Sequence, residues 1–217
     1  MASKIKVDTI ENVAGSGNVS LGSGHNFVVP GTLNITGAST LAGGIANSGT
    51  ITAGTIGSGV VFPAGSSLQV VSAQKTNTQA ISGAYADVLS ATITPKYNTS
   101  KILVQVTLNA SNTHRYSGCK LFRGSTQIAL GDSAGSVSRV FMSIDSNQDE
   151  SNSPYIMRTM SGHFLDSPST TSATVYKIQC GNDHDSTVTS INKMPNNDTA
   201  TFSLRGITTI TLTEISV

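Results

Sequence analysis

The chain has 217 residues, of which 12% are charged, and a net charge of +1. That length suits one ordinary domain with a core, or one domain plus an appendage. With no basic field to hold a phosphate backbone, nucleic acid is not expected as a partner.

No apolar run approaches the length of a membrane span, and Met1 to Ile10 alternates apolar with polar and charged residues. Neither membrane insertion nor a signal peptide is therefore expected, and the chain is read as folding in a cytoplasm. Trp is absent, aromatic residues are 5%, and Ser, Thr, Asn and Gly crowd the sequence. No stretch carries Leu, Ala, Glu and Lys at helical spacing. Disorder would need fewer apolar residues than the 37% present, many of them β-branched. The composition predicts an all-β protein.

Taken in order, the chain changes character near residue 67. Between Glu11 and Lys75 there is no Asp, Glu, Lys or Arg, and 13 of the 21 glycines lie between Gly15 and Gly65. All five tyrosines come later, from Tyr85 onward. Residues 1–16, 17–67 and 68–217 are read as a leading segment, a repeat and a globular domain.

In the repeat, Gly31, Gly37, Gly43 and Gly49 are six apart, reading GTLNIT, GASTLA, GGIANS and GTITAG. Leu33, Ile35, Leu41, Ile45 and Ile51 sit two or four residues after a glycine, and Gly17 sets the same phase for Val19 and Leu21. Even offsets place these side chains on one face of an extended strand, and each glycine permits a sharp corner. Such hexads bury their face only by stacking. A single chain would need three for each triangular turn, and four clean hexads give little more than one. Three intertwined chains would complete every rung, at about 4.8 Å per rung. The repeat is therefore expected to be a trimeric β-helical shaft, with those seven aliphatic residues as its core. The competing reading is a flexible Gly/Ser/Thr linker.

From Leu68 the sequence alternates like a β domain: SLQVVSAQ, ADVLSATITP, KILVQVTLNAS, CKLFR with QIAL, VSRVFMSID, YIMRTMSGHFL, ATVYKIQC, TATFSLRG and ITTITLTEIS. Turn-rich stretches such as PKYNTS and GNDHDS separate them. Ile102, Val104, Val106 and Leu108 are expected on one face of their strand. In the ATVYKIQC strand, Thr174, Tyr176, Ile178 and Cys180 should oppose Ala173, Val175, Lys177 and Gln179. Eight or nine strands predict two packed antiparallel sheets in a β-sandwich, as a jelly roll. Cys119 and Cys180 show no metal-type spacing; a disulfide between them is one reading, and two buried free thiols are the expected one.

Several polar groups invite a functional reading. Asp183, His184 and Asp185 form the densest ligand-like cluster, with Asp145, Asp149 and Glu150 a second. Either could hold calcium through carboxylate oxygens, but neither matches an EF-hand loop, and solvated loops explain both. Paired carboxylates could also cleave glycans at the right separation, which a sequence does not give. His114, Arg115 and Tyr116 fall between two strands, and Arg and Tyr favour interfaces. Together with Asp183, His184 and Asp185 they are the candidate recognition loops. No GxSxG elbow occurs. No catalytic residue, metal site or cofactor is predicted.

The opening SKIKVDTIENVAGSG, the glycine repeat and PGTLNITG resemble the N-termini of tail-fibre and related virion proteins of marine phages. The segment from His163 through FLDSPSTTSATVYKIQ to Gln179, and TLTEI from Thr211 to Ile215, are similar to their C-terminal domains of tumour-necrosis-factor-like jelly-roll type. The resemblance implies a homotrimer in a virion, synthesised in the host cytoplasm. It further implies that residues 1–16 dock on another virion protein of the tail, baseplate or capsid. The jelly-roll head would meet a host-surface glycan or protein, or a neighbouring virion protein. Two alternatives stand beside it: a capsid decoration or head-fibre protein, and a tail-associated glycan depolymerase. The latter class carries a long β-helical body, whereas this repeat is short.

Overall fold

The computed structural model describes residues 62–113, 117–144, 156–183, 188–195, 201 and 203–217. The expected docking segment and the seven expected shaft-core residues (Val19, Leu21, Leu33, Ile35, Leu41, Ile45, Ile51) lie outside these. Among the described residues there are eleven strands and no helix. They are β1 (Ser67–Lys75), β2 (Gln79–Ser82), β3 (Ala86–Ile93), β4 (Lys101–Asn112), β5 (Ser117–Arg123) and β6 (Thr126–Ile128), followed by β7 (Met142–Ile144), β8 (Arg158–Asp166), β9 (Thr174–Gly181), β10 (Val188–Ile191) and β11 (Thr208–Ile215).

The strands form two antiparallel sheets. In the first, β4 carries β8 along one edge and both β11 and β10, end to end, along the other; β1 then pairs β11 and β2 pairs β10. In the second, β3, β9 and β5 lie side by side, and β6 and β7 share the far edge of β5. Two strand lines of the first sheet are thus broken at one level, and Asn192 sits at the break. Its φ is +58°, a left-handed conformation that asparagine tolerates better than most residues. From there its side-chain amide donates to the carbonyls of Lys75 (2.7 Å) and Asn77 (3.1 Å), and its oxygen accepts from Thr208 (2.8 Å). With end-to-end strands merged, the order is first–eighth–third–sixth in one sheet and second–seventh–fourth–fifth in the other. That order is compatible with the expected jelly roll.

The alternating sequences do what their period demands. Ile102, Val104, Val106 and Leu108 are buried, as are Tyr176, Ile178 and Cys180 on the facing sheet. With Ile93, Leu121, Ile210 and Leu212 they form one core between the sheets. Each such aliphatic side chain contributes about 1.5–3 kcal/mol on burial. The expected VSRVFMSID strand is shorter than its pattern, since only Met142–Ile144 pair with β5. TATFSLRG forms no strand among its described residues, where Arg205 makes a single bridge to Lys193. Two strands went unpredicted, β2 and β10, each four residues long.

Two buried polar clusters tie the layers. Asp166 on β8 accepts the Tyr176 hydroxyl of β9 at 2.6 Å and lies 2.9 Å from Arg123 Nη1 of β5 through both oxygens. Glu214 on β11 is fully buried and accepts from Gln69 Nε2 (2.6 Å) and from the backbone amides of Lys96 (2.6 Å) and Tyr97 (3.4 Å), anchoring the β3–β4 connection. Burial works against its charge, yet the group is held below the usual carboxylate range. The buried Ser100 hydroxyl alongside has no hydrogen bond of good geometry, so the N–H donors carry that effect.

The outer faces of the two sheets differ in chemistry. Cross-strand rows on the first read Val70–Thr213–Leu103–Leu165, then Ser72–Thr211–Gln105–His163, then Thr209–Thr107–Ser161. These rows hold no Asp, Glu, Lys or Arg, and Lys101 stands at their end opposite Ile215. On the second sheet the corresponding rows carry Asp87, Lys177 and Lys120.

Candidate functional site

The charged face of the second sheet is built on a pair of glycines. Gly118 and Gly181 lie opposite each other on β5 and β9. A Cβ on Gly181 would come within 2.7 Å of Tyr85 Cα and 2.9 Å of the Ala84 carbonyl, and its φ of +150° favours glycine in any case. A Cβ on Gly118 would meet Val140 Cγ1 at 2.6 Å and the Tyr85 hydroxyl at 3.0 Å. The bare backbone therefore lets the β2–β3 turn cross the sheet, where the Asn182 amide donates to the Gly83 carbonyl at 3.0 Å. Tyr85 is laid down as a platform.

Lys120, two residues beyond Gly118, stands over that platform with Nζ 3.5 Å from the ring centroid. The same ammonium is 2.9 Å from Asp183 Oδ2, which also accepts from Ser138 Oγ at 2.5 Å. The ring quadrupole and the carboxylate both favour the cation. The Asp183 carboxyl is held below its ordinary range by the Ser138 hydrogen bond first and then by Lys120, against a smaller burial effect. Tyr85 is pushed up to about 12, by burial and then by the Asp183 charge.

One strand over, Asp87 of β3 accepts from Gln179 Nε2 (2.6 Å) and Lys177 Nζ (3.1 Å). The Gln179 bond is the main reason its carboxyl lies low, with Lys177 adding to it against partial burial. Lys177 Nζ is 5.7 Å from the Phe122 ring centroid. The register between β3 and β9 shifts between Asp87 and Leu89, an irregularity of the bulge kind that locally interrupts the ladder. Beside it a shallow groove is lined by Asp87, Leu89, Ser90, Gly124, Val175 and Lys177.

This face offers planar polar groups, two ammonium groups and two rings, a set suited to contacting hydroxyl-rich or polar surfaces. Asp87 and Asp183 are both held in the carboxylate form by the hydrogen-bond donors that face them. No group of three metal-ligating side chains occurs among the described residues. Among them, too, no helix is long and apolar enough to cross a membrane.

Of the expected recognition residues, Asp183 belongs to this cluster. His114, Arg115, Tyr116, His184 and Asp185 lie outside the described residues, as do Asp145, Asp149 and Glu150. The stretches that flank the two candidate loops do meet. The Thr113 amide donates to the Val188 carbonyl at 3.0 Å, the Val188 amide to Thr113 Oγ1 at 3.1 Å, and Thr189 Oγ1 to Ser117 Oγ at 2.8 Å. Sequence reasoning missed Tyr85, Lys120, Ser138 and Asp87. Alternation within CKLFR places Lys120 outward beside the outward Gln179, but only the register between β5 and β9 joins them. No protein-family model and no curated protein matches the chain.

Proposed function

We propose that the chain is a virion structural protein, a homotrimeric fibre-like appendage that projects a jelly-roll head for attachment. Three heads pack through the outer face of the first sheet, and the charged face of the second is left to meet a host-surface glycan or protein, or a neighbouring virion protein. The observation that carries this reading is the outer face of the first sheet, whose three central rows hold no Asp, Glu, Lys or Arg and are bordered by Lys101, and where Val70 is 61% and Leu165 47% exposed in the single chain. A sheet face turned to water ordinarily alternates to charged residues. One furnished with Thr, Ser, Gln and aliphatic side chains suits close approach of identical copies, where like charges would repel.

Three copies on one axis would present three identical recognition faces, which multiplies a weak affinity without new contacts.

The test is imaging of intact particles with a label on the C-terminal domain. The expected result is label at the tips of threefold projections from the tail or baseplate. Label at capsid symmetry axes would favour the decoration protein instead, and particles without label would contradict a virion role.

A further inference from the structure

The only two cysteines of the chain, Cys119 and Cys180, are direct cross-strand partners on β5 and β9. Both are fully buried, both are free thiols, and both point into the core between the sheets. They come from strands far apart in sequence, and a one-residue slip of register would send one of them to the outer face. Directly opposed residues on antiparallel strands have Cα atoms about 4.5 or 5.5 Å apart, according to the hydrogen-bonding site they occupy. Both values fall inside the Cα separation of roughly 4.4–6.8 Å usual for a disulfide.

We propose that Cys119 and Cys180 are a latent dithiol site that closes to a cross-strand disulfide when the protein meets an oxidising small-molecule disulfide. A thiolate of the pair attacks one sulfur of the reagent, forming a mixed disulfide and releasing one small thiol. The second cysteine then attacks the protein sulfur of that bond and expels the other small thiol. Two protein thiols are oxidised and one reagent disulfide is reduced, so electrons and protons balance.

The same geometry keeps the site reduced until it is challenged. The Cys180 thiol is pushed well above its ordinary value, first by its hydrogen bond to Cys119 and then by burial. A buried thiol is a poor nucleophile, and reaction waits on local opening of the sheet. Once formed, the bond would staple the two middle strands under the charged face. The proposal is independent of the virion reading, because it rests on register and burial alone.

The test uses the full chain and oxidised glutathione as the oxidant, applied both to the native protein and during refolding from urea. Remaining thiols are then blocked by alkylation and the intact mass is read. The expected product loses both thiols together, carries no glutathione, and melts roughly 5–10 °C higher, a shift that a reductant reverses. Cys119→Ser and Cys180→Ser should each abolish it. Closure by either route supports the site. Two free thiols after both routes, or lasting glutathione adducts on separate cysteines, would overturn it.

Discussion

Tyr176 donates its hydroxyl to Asp166 at 2.6 Å across the sandwich, joining β9 of one sheet to β8 of the other. Tyr176 is fully buried and its hydroxyl is pushed strongly upward, by burial and then by this bond, so it stays protonated and donates. Tyr176→Phe keeps the ring in the core and removes one bond to a buried charge, a loss of about 1.5–3 kcal/mol. Equilibrium denaturation should show that loss with an unchanged dependence on denaturant. A variant as stable as the parent would mean that Arg123 alone satisfies Asp166.

Glu214 sets the response to acid. Its folded pKa is depressed below an unfolded value of about 4.3. The stability it contributes is therefore complete above that pH and is lost as the pH falls through the lower, folded value. Asp87 and Asp183 are also depressed, but their side chains are 60% and 53% exposed, and solvent screens them. Glu214→Gln should lower stability at neutral pH and flatten its decline below about pH 4, whereas Asp87→Asn should do little. Denaturation midpoints across that range check it. Parallel acid curves for the parent and Glu214→Gln would contradict it.

Gly181→Ala tests the glycine floor beneath Tyr85. The substitution meets both a backbone clash at 2.7 Å and a φ of +150°, and strain of that kind costs roughly 1–3 kcal/mol before the β2–β3 turn is displaced. Gly124→Ala, at φ +58° with open space around it, should cost only about 1–2 kcal/mol. Thermal melting of the two variants should rank Gly181→Ala clearly lower, and equal melting points would refute the role given to the glycine pair.

Much of the sandwich was legible because its strands are long and half-buried. KILVQVTLNA and ATVYKIQC alternate cleanly, and in each strand one of the two faces set by period is the buried one: Ile102, Val104, Val106 and Leu108 in the first, Tyr176, Ile178 and Cys180 in the second. The short strands β2 and β10 were not legible: four residues carry little period, and their burial comes from pairing with each other and with β4. TATFSLRG has strand composition, yet its described part pairs only at Arg205. The stretches that carry the resemblance contain Asp166, Tyr176 and Glu214, which proved to be interior clamps. They mark how the sandwich is held and leave its ligand unspecified. The cluster of Tyr85, Lys120 and Asp183 was invisible for a different reason, since it depends on strand register and a turn crossing two glycines.

The hexad repeat gives a test that its sequence alone motivates. If the repeat is the trimeric shaft read from its sequence, Leu33→Asp or Ile35→Asp would place a charge from each chain at its axis, at a cost of several kcal/mol per ion. Thr32→Asp and Asn34→Asp, at offsets assigned to water, should be nearly silent. Trimer melting distinguishes the pairs, and equal effects would show the assigned phase to be wrong.

Light scattering on the full chain at micromolar concentration tests the central claim most directly. The account predicts a mass three times the 22.4 kDa chain. It also predicts that Thr211→Glu, by bringing like charges together on the outer face of the first sheet, raises the concentration at which the trimer dissociates, while Lys177→Glu on the opposite face does not. A single-chain mass for the parent protein, or Lys177→Glu as disruptive as Thr211→Glu, would contradict it.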